Sequence, residues 1–472
     1  MVFLQIVIPS WKKVAPQLVV LSFPALLISP IIDWIVTGGK GMKMAYFFDT
    51  PREMLFSFLS FFGKGFDGGA TVGLKIEIAL ATLFFGLFIY FISKSWRRSL
   101  VSILVLYAIV FALVSIPGIF SIIGQGGHPI QDPMVFLQNS IADSSTISNN
   151  LHSSLQYSSV IRLIEISFNF IMGKIMLLIS VAVLLVWFYA NFREKFKAVI
   201  KNSRGERVAA YIVMVFLGIY ISSVMFSPLR LNWNDWLSVI TLCLSFYFSC
   251  MFAICANDTA DEDTDKISNA ARPLISNTLS KWDMKQMGAV FIVISLVSAY
   301  LAGYTAFFFV LTFTALYYIY SVPPTRFKLI PFFSSFIISL CMLAAILAGF
   351  FLVSPIKYVS AASPRLILAV VVIFSLLSNV RDMKDISGDK SAGIKTLPVI
   401  LGDVWGPRVV ALCAMFSFIL IPIFSGFYIL FLTAVPTAFA SWYFINKKPY
   451  SEKPLDKIYF AFMFLSFLLL LA

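Results

Sequence analysis

Residues Asn257 to Arg272 read NDTADEDTDKISNAAR, directly after an apolar run that ends FAICA. Asp258, Asp261 and Asp265 are spaced i, i+3, i+7. On a helix turning about 100° per residue, that spacing sets three carboxylates on one stripe. Asn257 and Glu262 flank the stripe, and Asp263 points away from it. Like charges on one face repel one another and are costly near lipid. A divalent cation bound through hard oxygen ligands would offset them, magnesium above all. A merely solvated acidic loop is the other reading of a single cluster of this kind.

The chain then repeats the arrangement. At Asn379 to Asp389, NVRDMKDISGD, another apolar run ends, and Asp382, Asp385 and Asp389 again fall at i, i+3, i+7. Two such stripes, each at the mouth of a hydrophobic segment, are hard to explain by solvation. Two clusters that each hold a metal through one or two carboxylates and share a phosphate ligand can bind a diphosphate.

The composition says where this happens. Of 472 residues, 60% are hydrophobic and 12% charged, against about 45–50% and about 25% in a soluble domain. Apolar runs near 20 residues long recur along the chain, which predicts a polytopic bundle of membrane helices, an all-α fold. The net charge of +13 is therefore read as basic loops facing lipid headgroups, with no nucleic-acid partner. Cys243, Cys250, Cys255, Cys341 and Cys413 lie in apolar segments without metal-ligand spacing and read as packing residues. His128 and His152 lie in a polar loop away from both acidic clusters.

About four spans are expected before residue 205: about 17–36, 78–92, 100–123 and one ending near Phe192. Pro51 onward, PREMLFSFLSFFGK, reads as a short amphipathic or re-entrant helix. The basic run Arg193, Lys195, Lys197, Lys201, Arg204 and Arg207 marks a cytoplasmic linker. It divides the chain into 1–205, a multi-span module of unknown function, and 206–472. On that division the first part would be dispensable for chemistry. Nine spans come after it: about 208–226, 235–256, 287–303, 304–320, 331–353, 366–380, 407–424, 426–444 and 457–472. Alternation from the basic linker puts the loops at 257–286, 321–330, 381–406 and 445–456 inside a cell membrane, so both acidic clusters share the cytoplasmic face. By the same count Lys40, Lys43, Arg52, Lys64 and Lys75 fall outside.

Between the clusters, on the same side, lies YSVPPTRFK, Tyr320 to Lys328. Its prolines end a helix and stiffen the turn. Arg326 and Lys328 are thereby held at the surface, as phosphate ligands or as headgroup contacts.

These three motifs resemble those of the UbiA-type intramembrane prenyltransferases, from about Val208 to the C-terminus. NDxxDxxxD and a following RP read as Asn257, Asp258, Asp261, Asp265 and Arg272-Pro273, and the second motif reads RDMKDISGDKSAGIKTLPVILG from Arg381 to Gly402. Asn277 stands after RPLIS, where many members have Gly. The first 205 or so residues carry no such motif.

The resemblance implies a nine-helix prenyltransferase bundle preceded by the additional spans. It implies Mg2+-dependent transfer of a polyprenyl group from a prenyl diphosphate to a lipid-soluble or amphipathic acceptor in the bilayer, a quinone precursor or a glycerol-phosphate type. Asp261 and Asp265 would hold one ion, Asp385 and Asp389 the other, with Asp258 and Asp382 completing the catalytic carboxylates. Asn257, Arg326, Lys328, Arg272 and Lys384 would bind the diphosphate. A CDP-alcohol phosphatidyltransferase-like enzyme lacks its DGxxAR pattern here, and a cation transporter would carry its carboxylates mid-span.

Overall fold

The structure, a computed structural model, describes residues 28–38, 50–63, 70–124, 157–226, 231, 233–268, 272–330, 332–384, 386–391 and 395–471. Among these residues the regular elements are helices, and eleven helices are long and apolar enough to cross a membrane. Contacts divide the chain into two compact units, Met1–Ala142 and Asp143–Ala472.

The first unit contains α1 (Ile28–Val36), α2 (Pro51–Leu59), α3 (Val72–Ser93) and α4 (Trp96–Gly124). Thr50 caps α2 by accepting from the Glu53 N–H, and proline occupies its first turn. Asp33 on α1 accepts from the Gly73 N–H at 2.7 Å, filling an otherwise open donor at the start of α3. Of the expected first span, residues 17–27 lie outside the described residues.

The second unit begins with α5 (Tyr157–Asn191), α6 (Arg193–Lys201), α7 (Gly205–Phe226), α8 (Trp233–Ala260), the short α9 (Glu262–Ser268), α10 (Lys281–Ala302), α11 (Tyr304–Ser321) and α12 (Phe333–Val353). It continues with α13 (Pro364–Leu377), a 3-10 turn at Ser378–Lys384, the short α14 (Ile386–Ser391), α15 (Leu397–Ser425), α16 (Phe431–Asn446) and α17 (Lys453–Leu471). The nine longer helices from α7 onward agree with the expected bundle. The boundary read at residue 205 does not coincide with the division between units, because α5 and α6 pack against later helices of the second unit. Lys174, inside the apolar α5, is buried and donates to Asn234 Oδ1 at 3.1 Å and Ser238 Oγ at 2.6 Å on α8. A cation at that depth needs such partners, and they tie α5 to the bundle.

The core lies around α12, which is buried along most of its length against α7, α11 and α13. Without a hydrophobic drive between helices in lipid, close packing has to hold them. Gly218 and Gly349 supply it at the α7–α12 crossing. A Cβ at Gly218 would lie 1.9 Å from the Ile346 carbonyl oxygen, and one at Gly349 would lie 2.0 Å from that of Val215. The two backbones therefore touch, and Phe350 and Phe351 are sealed beside them. Gly402, the last glycine of the second motif, breaks α15 with φ +74° and ψ 179°, a conformation open essentially to glycine alone.

Gly349→Leu should destabilise the bundle by about 1–3 kcal/mol or more, read as a lower melting temperature in detergent. Gly205→Ala, where a Cβ meets nothing within 4 Å, should leave melting unchanged.

Candidate active site

Each carboxylate of the first motif sits where α8 runs out. The helix ends at Ala260, bends at Asp261, and resumes as α9. The bend keeps helical hydrogen bonding: Asp261 N–H donates to the Asn257 carbonyl at 2.9 Å, and Asp265 N–H to that of Asp261 at 2.8 Å. The spacing expected of one stripe thus survives, and Asp258 and Asp265 stay close enough to share Arg272 Nη1, while Asp261 takes its own partners.

Asp261 faces a cavity of about 180 Å³. Arg326 Nη2 donates to its Oδ1 at 2.6 Å, and the Lys328 ammonium pairs with its Oδ2. Lys328 also lies 3.4 Å from Asn257 Oδ1. Burial pulls the Lys328 ammonium below the ordinary lysine value, and Asp261 opposes that shift. Arg326 has φ +40°, in the left-handed region, and its buried Nε has no hydrogen-bond partner among the described residues. A bulky side chain in that backbone region, with an unused donor, marks a position held for something other than packing. Asp265 also faces the cavity and pairs with Arg272.

Asp258 behaves differently. It is 1% exposed and is not among the residues that line the cavity. Its Oδ1 accepts from Arg204 Nη2 at 2.7 Å and Arg272 Nη1 at 3.1 Å, and its Oδ2 from Asn202 Nδ2 at 2.8 Å. The cavity-facing row is Ala253, Asn257, Asp261 and Asp265, four apart, and Asp258 sits beside that row, where Arg204, Asn202 and Arg272 meet it.

The second motif reaches the same space. Asp382 and Gly388 line the cavity opposite Asp261 and Asp265, and α9 touches α14. The backbone over Ser378–Lys384 is a 3-10 turn rather than the α-helix expected, tightening the end of α13. Asp385 lies outside the described residues, as does the side chain of Asp389. Lys384 does not join the site: it pairs with Glu452 at the surface. Arg381 lines the cavity and donates to the Tyr320 hydroxyl at 3.4 Å. His128 and His152 fall outside the described residues.

Sequence reasoning missed Arg204, Arg207 and Arg381, all of which line the cavity. The basic run that was read as a linker held the signal for the first two. Its helix α6 is amphipathic: Val199 packs with Met251, Ile254, Leu274 and Met284, and Lys195 pairs with Asp283 at 2.7 Å. Asp283 in turn completes the capping box of α10 with Ser280. The run is therefore docked, and the turn after it is aimed at Asp258.

The donor set around the cavity suits a hard cation, since Asn257, Asp261, Asp265 and Asp382 all offer oxygen. Among the described residues no three His, Cys, Asp or Glu groups converge to hold a metal by themselves. Mg2+ is bound through one or two carboxylates and completes its shell with phosphate and water.

Residues 218–468 match the model of the UbiA prenyltransferase family. The chain belongs to this family. The digeranylgeranylglyceryl phosphate synthase of Thermococcus sibiricus is 28% identical over 190 residues, 39% of this chain and 64% of that protein. That of Pyrococcus horikoshii is 29% identical over 170 residues, 35% of this chain and 57% of that protein. The match thus spans less than two thirds of the length of either relative. A solved UbiA homolog from Archaeoglobus fulgidus, bound to GPP and Mg2+, is 18% identical with TM-score 0.45, over 58% of this chain and 100% of that one. Asn277 has φ +57°, left-handed backbone that glycine and asparagine enter readily.

Replacing Asp258 by Ala would leave two guanidinium groups without their shared anion. A loss of roughly 3 kcal/mol is expected, at the lower end for a buried pair because both arginines are partly exposed. Asp263→Ala, whose carboxylate is exposed and pairs with Lys266, itself exposed, should leave the melting temperature unchanged.

Proposed function

We propose that this protein transfers a polyprenyl group from a prenyl diphosphate to an acceptor dissolved in the membrane, releasing diphosphate in a Mg2+-dependent reaction. The observation that carries this reading is one cavity lined by carboxylates from both aspartate motifs and by Arg272, Arg326 and Lys328. A site with both signs of charge at the mouth of an apolar bundle suits a substrate with an anionic head and a hydrocarbon tail. Family membership supports the same chemistry.

Asp261 and Asp265 would hold one ion, with Asn257 beside them, and Asp385 and Asp389 of the second motif would hold the other, with Asp382 completing that motif. Mg2+ bound there supplies positive charge to the phosphate oxygens as the allylic C–O bond breaks. Arg326 and Lys328 now share Asp261. With that carboxylate turned to a metal, both cations would be released towards the phosphates, and Arg326 Nε would gain the acceptor it lacks. Arg272 would act likewise beside Asp265. Val208, Tyr211, Ala253 and Ile254 form the cavity's less polar wall, which would keep water from the allylic cation. Lys384 has no part in this scheme.

The acceptor we favour is a lipid of the glycerol-phosphate type over an aromatic quinone precursor, on the strength of what the two synthases are named for. The basic loops argue for a cell-membrane protein whose site opens to the cytoplasm.

Asp261→Asn and Asp385→Asn should each lower the rate of pyrophosphate release by on the order of 10²–10³ while the protein stays folded. Chelating Mg2+ should abolish release. Near wild-type turnover of both variants at saturating Mg2+ would refute the two-cluster scheme. Arg326→Ala should raise KM for the prenyl diphosphate roughly ten- to hundredfold and leave KM for the acceptor nearly as it was. A defect seen only in the acceptor's KM would remove Arg326 from the phosphate site.

A further inference from the structure

Asp258 stands in a metal-binding motif, yet its carboxylate is already fully engaged. Both of its oxygens accept, from Asn202, Arg204 and Arg272, and the group is 1% exposed behind the cavity wall. The two arginines on its Oδ1 are themselves cavity-lining. Their guanidinium groups would repel if brought together without an anion between them. Asp258 supplies that anion, and Asn202 fixes its rotation from the other side. The turn that carries Asn202 and Arg204 is constrained as well. It lies between the docked α6 and α7, and Arg204 has φ +49°. An arginine held in left-handed backbone, with one edge on a buried carboxylate and the rest facing the cavity, fits a side chain placed for a ligand.

We infer that Asp258 is a positioning residue and not a metal ligand, and that through it Arg204 becomes a diphosphate-binding residue of the active site. Arg204 precedes residue 218, where the family match begins. The turn at 202–204, immediately ahead of α7, would therefore complete the site. On this inference Asp258 does not share the metal-binding work of Asp261 and Asp265. The inference rests on the reading of the cavity as a prenyl diphosphate site.

The test uses the full-length protein in detergent, without acceptor. Binding of geranylgeranyl diphosphate is titrated at several Mg2+ concentrations for the wild type, Arg204→Gln, Arg204→Lys, Asn202→Ala, Asp258→Asn and the Arg204→Gln/Asp258→Asn pair, with melting curves for each. Arg204→Gln should weaken binding about tenfold, the loss of one charge-assisted hydrogen bond, with the Mg2+ concentration for half-maximal binding unchanged. Arg204→Lys should recover part of the loss. Asp258→Asn should move affinity the same way, and the double variant should bind no more weakly than the poorer single one, because the two residues act as a unit. If Asp258→Asn does not fold, Arg204→Gln and Asn202→Ala, at partly exposed positions, decide alone.

Wild-type affinity in Arg204→Gln would overturn the inference and leave Asp258 and its three partners a structural device. So would an Asp258→Asn variant that needs more Mg2+ but binds normally once Mg2+ is saturating. A wild-type protein that binds no geranylgeranyl diphosphate at any Mg2+ concentration would instead remove the proposed function, and this inference with it.

Discussion

Carboxylates gathered at the mouth of an apolar helix bundle must be matched by positive charge. Desolvating an unpaired carboxylate costs far more than any single packing contact returns. Here the match is made by side chains from three separate stretches: the turn after α6, the return of the chain at Arg272, and the loop after α11. Asp258, Asp261 and Asp265 each take a different share. Asp258 is spent on holding arginines in place. Asp265 shares Arg272 with it, and Asp261 alone holds Arg326 and Lys328.

That division explains features that would otherwise be liabilities. Arg204 and Arg326 both sit in left-handed backbone, which a long side chain adopts only when the surroundings compel it. For Arg204 the compulsion is the buried anion at Asp258 together with the docking of α6 through Val199 and Lys195. For Arg326 it is Asp261 on one side and the stiff Pro323-Pro324 turn on the other. The rigid frame comes from elsewhere, from the glycine-to-backbone crossing of α7 on α12 and the aromatic packing around Phe350.

Much of this was legible in the amino-acid sequence. Length, apolar runs and the depletion of charge determined a polytopic helical membrane protein. The repeated Asp spacing and the YSVPPTRFK loop picked out Asp261, Asp265, Asp382, Arg326 and Lys328, because local periodicity and helix ends are short-range properties. Asn277 could be placed in a tight turn, since only glycine and asparagine enter left-handed backbone readily.

Only the tertiary structure decided which carboxylates face the cavity and which cations answer them. Spacing alone cannot tell which edge of a helical stripe meets open space and which meets a docked turn, so it treated Asp258 like Asp261 and Asp265. A run of basic residues reads as a solvated linker until the fold docks α6 and brings Asn202 and Arg204 to Asp258, more than fifty positions along the chain. Lys384 went the other way, to Glu452. Ion pairing depends on distance in space, and the sequence records only distance along the chain.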